Sequence, residues 1–146
     1  MEVLLEKLKT DFPDFRFVTG RKFAFRPPRT IVIESRKTGA GKTGSEEVET
    51  ETDSELLLLH EVGHATLGHR NFRMDAERLK MELAAWEKAR ELAKYYEVEF
   101  NDELMEMELD SYRDWLHRKS RCPKCGLTRY QTPDGYYHCP RCENVT

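Results

Sequence analysis

The chain has 146 residues, a size that suits one ordinary domain or a compact domain with a small appendage. Hydrophobic residues make up 38% and charged residues 35%, and apolar runs such as residues 56–59 fall far short of the roughly 18 residues that a membrane helix needs. A membrane-spanning protein is therefore excluded. The net charge is −3 and no segment has the dense basic face of a dedicated nucleic-acid-binding domain, so nucleic acid is at most a weak partner.

The first residues of the chain bear on its compartment, and its composition bears on its source. The first residues, MEVLLEKLKTDF, lack the basic start and long apolar stretch of a signal peptide, so we expect a cytoplasmic protein without a membrane partner. Charged residues are mostly Glu, Lys and Arg, and Gln131 is the single glutamine, a bias that is typical of proteins from hot environments.

Short elements fill the first third of the chain. Residues 2–10 have the pattern of an amphipathic helix, with four apolar residues on one side: Val3, Leu4, Leu5 and Leu8. Four short segments have the composition of strands: residues 15–18, 22–25, 30–34 and 48–52. The polar, glycine-rich residues 35–47 between the last two predict a loop.

Three longer helices are predicted next. Thr52 and Glu55 have the spacing of a capping box, so the first helix begins there and ends near Gly68. The other two cover about residues 75–95 and 102–119. The apolar positions of the second helix are Leu79, Leu83, Trp86, Ala89 and Ala93, and the core candidates of the third are Leu104, Met107, Leu109, Trp115 and Leu116.

The first of these helices contains the pattern H-E-x-x-H, formed by His60, Glu61 and His64. Residues four apart project from the same helix face, so both imidazoles can reach one Zn²⁺ ion at about 2.0–2.1 Å. Glu61 then lies beside the open side of the metal, where a carboxylate can take a proton from water and deliver it to a leaving amine. The pattern predicts a catalytic zinc site with Glu61 as general base and acid.

A catalytic zinc site needs a third protein ligand, and the sequence offers two kinds. His69 would lie on the far side of a continued helix, so it can bind only if the chain reverses at Gly68; a helix-end cap or a partner of a ligand is its simpler role. The next helix offers carboxylates, of which Glu82 stands on the otherwise apolar, core-facing stripe. Glu82 is therefore the preferred ligand, ahead of Glu77, Glu87 and Glu91.

The extended motif HEVGHATLGH, together with Glu82 in ELAAW, resembles the gluzincin metallopeptidases, in particular the small minigluzincins and the IrrE/ImmA-like peptidase domains. The resemblance covers roughly residues 20–100. It implies a zincin-like fold, Zn²⁺ held by His60, His64 and a downstream Glu, and a small twisted sheet whose edge strand aligns a peptide substrate. The residue that stabilises the oxyanion stays open among four candidates: Tyr95, Tyr96, Tyr112 and His117.

The end of the chain contains two C-x-x-C pairs, formed by Cys122 with Cys125 and by Cys139 with Cys142. Four thiolates in this arrangement can hold one Zn²⁺ ion as a tetrahedron without an open position. The residues between the pairs predict a hairpin that turns at Asp134-Gly135. This pattern resembles a zinc ribbon, whose stability comes from the metal because its core is small.

Three roles for the ribbon stay open: a structural or partner-docking role, nucleic-acid binding, and restraint of the peptidase by packing over its cleft. Four basic residues are few for binding driven by phosphate contacts: Arg121, Lys124, Arg129 and Arg141.

Residues 38–43 resemble the end of a phosphate-binding loop, but Arg36 stands where the pattern needs Gly and the segment is interpreted as a plain loop.

Together these patterns predict an α+β fold. A small twisted sheet, an active-site helix and further helices occupy residues 1–120, and a zinc ribbon with four cysteine ligands occupies residues 121–146. We expect a zinc-dependent peptidase with one catalytic and one structural Zn²⁺ and a peptide or protein substrate. The alternative is a regulatory or nucleic-acid-associated binding module, either SprT-like or a vestigial zincin, that uses the ribbon to dock a partner.

Overall fold

The computed structural model describes residues 1–35 and 50–142, and over these ranges the fold is α+β, as predicted. The elements in chain order are α1 (Glu2–Asp11), β1 (Arg16–Gly20), β2 (Ala24–Arg26), β3 (Thr30–Glu34), α2 (Glu51–Thr66), α3 (Asp75–Tyr95), α4 (Asp102–Ser120), β4 (Tyr130–Gln131) and β5 (Tyr137–His138). None of the helices in the described ranges is long and apolar enough to span a bilayer. Residues 38–43, which the sequence predicts to be a plain loop, lie outside the described residues.

The chain divides into two compact units that alternate along the sequence. The first unit contains residues 1–70 and 85–101, and the second contains residues 71–84 and 102–146. Helix α3 therefore begins in the second unit and ends in the first. The predicted boundary at residue 120 stays a prediction.

The first unit is built around a three-stranded sheet in the order β1-β3-β2. The central strand β3 runs parallel to β1, with Val18 opposite Val32, and antiparallel to β2, with Ala24 opposite Val32. Its three middle residues, 31–33, are all buried, as expected for a strand flanked on both sides. Helix α2 packs against β2 and β3, so the predicted metal-binding helix lies on this sheet.

The start of α2 differs from its prediction by two residues. Thr50 is the N-cap: its hydroxyl accepts a hydrogen bond from the backbone N–H of Asp53 at 3.1 Å, and the Asp53 carboxylate accepts one from the Thr50 N–H at 3.4 Å. The capping box predicted from Thr52 and Glu55 is wrong, because both residues are already helical. The strand predicted over 48–52 is wrong for residues 51 and 52, while residues 48 and 49 lie outside the described ranges.

Most of the predicted core is buried. The buried apolar side chains of the first unit include Leu4, Leu8, Leu56, Leu58, Leu59, Val62, Trp86, Ala89 and Ala93. Three predicted core residues are exposed instead: Val3 at 70%, Leu83 at 43% and Met107 at 54%. A helical apolar stripe can be wider than the surface it packs against, so its edge positions stay in water.

The second unit has a small apolar core and several polar and cation–aromatic contacts. Leu104 and Leu109 of α4 are buried as predicted, whereas Trp115 and Leu116 are half-buried. The Arg78 guanidinium lies 5.1–5.7 Å from three aromatic ring centres, those of Phe72, Tyr112 and Trp115. Such cation–π contacts hold α3 and α4 together where apolar area is limited.

The described part of the cysteine segment, residues 121–142, is called the ribbon below. Its strands β4 and β5 pair antiparallel, with Tyr130 opposite His138 and Gln131 opposite Tyr137. Gly135 has φ +91°, a left-handed conformation that glycine adopts without strain, and it lies at the predicted turn. The predicted hairpin is therefore present.

Candidate functional site

The H-E-x-x-H residues lie in the interior of α2 and converge on one point. One donor atom from each of His60, Glu61 and His64 lies within 4.8 Å of the other two. Both histidines are buried, at 6% and 7% exposure, and the Glu61 carboxylate approaches His60 Nδ1 to 3.5 Å. Imidazole nitrogens and a carboxylate oxygen are a donor set that Zn²⁺ accepts, so these residues could hold a metal ion.

The position of His60 is fixed by α3. Its ring stacks on the indole of Trp86, with ring centres 4.5 Å apart and planes 14° from parallel. The two helices approach closely because residue 63 is glycine: a Cβ there would lie 2.6 Å from the backbone oxygen of Ala85. Gly63 therefore allows the indole to reach the imidazole, and Trp86 in turn limits the orientations that the His60 ring can adopt.

His64 is held by two other aromatic residues. The ring of Phe25, on β2, lies parallel to it with centres 6.3 Å apart. His69, which follows the end of α2, places its Nδ1 atom 2.8 Å from Nδ1 of His64. This contact fits the predicted role of His69 as a partner of a ligand, since among the described residues the converging set contains His60, Glu61 and His64 but not His69.

The carboxylates proposed as third ligand differ in burial. Glu82 is 7% exposed, whereas Glu77, Glu87 and Glu91 are all exposed. Two of the exposed residues have other partners: Glu77 accepts hydrogen bonds from the N–H groups of Arg73 and Met74, and Glu91 contacts Lys88 Nζ at 2.8 Å. The converging set among the described residues does not include Glu82 either, so its role as third ligand stays a prediction from the sequence.

The four oxyanion candidates have different surroundings. Tyr95 is 72% exposed, and Tyr96 is buried with its hydroxyl donating to Asp11 at 2.6 Å. Tyr112 lies under the Arg78 guanidinium, and His117 is exposed on the last turn of α4. The Tyr96 hydroxyl is thus engaged by α1, and the oxyanion-stabilising residue stays unassigned.

The four cysteines of the ribbon form a second converging set. Their sulfur atoms lie within 4.8 Å of one another, and Cys125 Sγ is 3.5 Å from Cys139 Sγ. A disulfide would need about 2.05 Å, whereas four Zn–S bonds of about 2.3 Å place the sulfurs of a tetrahedron about 3.8 Å apart. All four cysteines are free thiols, so the cluster could bind a metal ion such as zinc, as predicted.

Backbone amides of the two C-x-x-C turns prepare the sulfurs for a metal. The N–H groups of Cys125 and Lys124 point at the Cys122 sulfur and lower its pKa to about 6. The N–H of Cys142 donates to the Cys139 sulfur at 3.4 Å and lowers the pKa of that thiol as well. The Cys142 thiol donates its proton to neighbouring cysteine sulfurs, foremost Cys125, and this together with burial raises the pKa of Cys142, so a metal must displace this proton.

The two faces of the ribbon hairpin differ. Gln131 and Tyr137 form one face, which contacts Asp75 at the start of α3: the Tyr137 hydroxyl donates to its carboxylate at 2.6 Å, and the Asp75 N–H donates to Gln131 Oε1 at 2.7 Å. The other face carries Tyr130, which stacks on His138 with ring centres 5.3 Å apart and is 57% exposed. One face anchors the ribbon and the other is turned to solvent.

Comparison of the chain with protein-family models, with curated proteins and with solved structures finds no match.

Proposed function

We propose that the chain is a zinc-dependent peptidase that hydrolyses peptide bonds at the His60, Glu61 and His64 cluster. The observation that carries this proposal is the convergence of two buried imidazoles and a carboxylate on one helix face, within 4.8 Å. A Zn²⁺ ion held there would polarise the scissile carbonyl and make a water molecule a strong enough nucleophile to attack that carbonyl at neutral pH. The protein's own side chains would bind the metal and transfer the proton.

His60 and His64 bind the metal and keep their geometry because each is stacked on an aromatic ring, Trp86 and Phe25 respectively. Glu61 is neither fully buried nor fully exposed, with its side chain 13% accessible. Its carboxylate can accept a proton from the attacking water and return it to the leaving amine. For the third ligand we keep the residue predicted from the sequence, Glu82, which is buried.

The substrate would bind as an extended strand beside β2. In the described residues β2 pairs with β3 alone, so its outer edge can accept main-chain hydrogen bonds from a peptide. Phe25 places this strand next to His64. An added strand would therefore run past the metal cluster, which is the arrangement that peptide cleavage needs.

The test combines zinc content with peptide hydrolysis. We expect two Zn²⁺ ions per chain in the wild type, and one in His64→Ala because the ribbon keeps its own. Glu61→Gln should retain both ions and lose hydrolysis, since an amide cannot accept the proton. Glu82→Gln should weaken retention of the second ion, while Glu87→Gln, on an exposed position of the same helix, is the matched control.

Two results would count against this proposal. Hydrolysis that survives in Glu61→Gln would place the chemistry elsewhere. A wild-type chain that binds only the ribbon ion would remove the catalytic cluster altogether.

A second candidate function is nucleic-acid docking by the ribbon. It is favoured by the solvent-turned face of the hairpin, where Tyr130 and Tyr136 are 57% and 54% exposed and Tyr130 stacks on His138. Exposed aromatic rings can stack on unpaired bases, and the exposed Arg121 and Lys124 can neutralise phosphates. Binding to a labelled single-stranded oligonucleotide at rising salt tests this function, with Tyr130→Ala expected to weaken it and Tyr95→Ala, an exposed tyrosine outside the ribbon, as the control.

A further inference from the structure

One residue in direct contact with the histidines that we propose to bind the metal is another histidine. His69 Nδ1 lies 2.8 Å from His64 Nδ1, and the two rings meet edge to face with centres 5.1 Å apart. The backbone N–H of His69 also donates to the carbonyl oxygen of His64 at 3.1 Å. A side-chain and a main-chain hydrogen bond thus fix His69 against one member of the H-E-x-x-H pair.

A chain reversal at the end of α2 brings this contact about. Gly68 has φ +66°, a left-handed conformation in which a residue with a side chain would be strained. Its N–H donates to the Ala65 carbonyl at 3.1 Å and closes the last turn. A continued helix would carry His69 away from His64, and the reversal returns it alongside.

The hydrogen bond between the two rings restricts where their protons lie. One Nδ1 atom must carry a proton and the other must offer a lone pair. If His64 donates from Nδ1, its Nε2 keeps the lone pair that a metal needs. If His69 donates, a neutral His64 carries its proton on Nε2 and has no nitrogen left for a metal.

We infer that His69 is a positioning residue for the metal site, an inference that rests on the proposed function. It accepts the hydrogen bond from Nδ1–H of His64 and holds that ring in the tautomer that leaves the Nε2 lone pair available to a metal. Phe25 supports the face of the same ring, so one neighbour fixes its plane and the other fixes its rotation within that plane. His69 acts on the metal through His64 and contributes no ligand atom.

The test measures metal binding in the full chain with Zn²⁺ in competition with a chromophoric chelator. His69→Ala should keep two ions at saturation but bind the second about 10- to 100-fold more weakly, the range seen when outer partners of metal ligands are removed. His69→Asn should restore most of the affinity, because Oδ1 of asparagine occupies the place of Nδ1 and accepts the same hydrogen bond. Arg70→Ala, on the exposed next residue, should change nothing.

Long-range ¹H–¹⁵N spectra of the zinc-loaded wild type provide a readout that a merely structural role would not give. We expect the His64 proton on Nδ1; a proton on Nε2 would overturn the inference. Two bound ions with unchanged affinity in His69→Ala would also overturn it while the peptidase proposal stands. One ion at saturation in both His69 variants would make His69 a ligand, and one ion in the wild type would remove both proposals.

Discussion

Tyr137, on strand β5 of the ribbon, donates a hydrogen bond of 2.6 Å to the carboxylate of Asp75, the first residue of α3. The same carboxylate oxygen lies 2.9 Å from Lys119 Nζ, and Asp75 is 4% exposed. A buried carboxylate is stable only when its oxygens have partners, and here one partner comes from the ribbon and one from the end of α4. The ribbon is therefore anchored to the helices of the second unit through a polar contact.

This contact leads to a stability prediction for Tyr137→Phe. The variant keeps the ring but leaves a buried charge without one of its hydrogen bonds, which should lower the free energy of unfolding by about 1.5–3 kcal/mol. Urea unfolding of the zinc-loaded chain measures the loss. Tyr136→Phe is the control, because Tyr136 is 54% exposed and should change stability by no more than about 0.5 kcal/mol. Equal stability of the two variants would show that the Asp75 contact contributes nothing.

The helices were the most predictable part of the fold. The bounds expected for α3, residues 75–95, match the structure, and those for α4 differ by one residue at the end. These helices have long apolar periodicity and acidic first turns, so their signals are local. The start of α2 was less certain from sequence because Thr50 with Asp53 and Thr52 with Glu55 have the same spacing, and the local pattern does not distinguish them.

The sheet and the surroundings of the His60, Glu61 and His64 cluster were less predictable. The pairing order β1-β3-β2 puts β1 beside β3 and not beside the next strand in the chain, β2, and strands this short carry no register signal. Trp86 was predicted as core, which is correct, but its stacking on His60 depends on how closely α3 approaches α2. The one local sign of that approach is Gly63, whose missing side chain has meaning only once the neighbouring backbone is known.

Gly63→Ala tests that close approach. The added Cβ would lie 2.6 Å from the Ala85 oxygen, a backbone atom that cannot move without shifting α3. Overpacking typically costs about 1–3 kcal/mol and should outweigh the higher helix propensity of alanine, so we expect lower stability and weaker binding of the second Zn²⁺. Thr66→Ala, at an exposed position of the same helix, is the control. A stable variant with full zinc affinity would contradict the proposed role of Gly63.

The pair of Tyr96 and Asp11 predicts a pH dependence at the alkaline end. Burial and the 2.6 Å hydrogen bond to Asp11 raise the pKa of Tyr96 above the ordinary value of about 10. Because the folded chain then holds a proton that the unfolded chain has lost, the contribution of this pair is complete below about pH 10 and is lost as the pH rises further.

Tyr96→Phe should therefore be less stable than the wild type at neutral pH by about 1 kcal/mol, the usual value of one hydrogen bond. Its free energy of unfolding should fall less steeply above pH 10, as measured by denaturation at a series of pH values. Tyr95→Phe is the matched control, since it removes the hydroxyl of the neighbouring tyrosine, which is 72% exposed. Parallel pH profiles for the wild type and Tyr96→Phe would refute the assignment.

Removing the metal from one cluster at a time should distinguish the role of the four cysteines from that of the His60, Glu61 and His64 cluster. The ribbon has two strands of two residues each, so we expect its fold to depend on a metal ion bound by the four thiolates. Cys139→Ser should reduce zinc from two ions to one and raise hydrogen exchange throughout residues 121–142. The hairpin should unfold without its ion, and the hydrogen bond from Tyr137 to Asp75 is then lost. His64→Ala should also leave one ion but keep the ribbon protected, and the double variant should bind none. A ribbon that stays protected in Cys139→Ser would show that its contacts with the helices, and not the metal, maintain its fold.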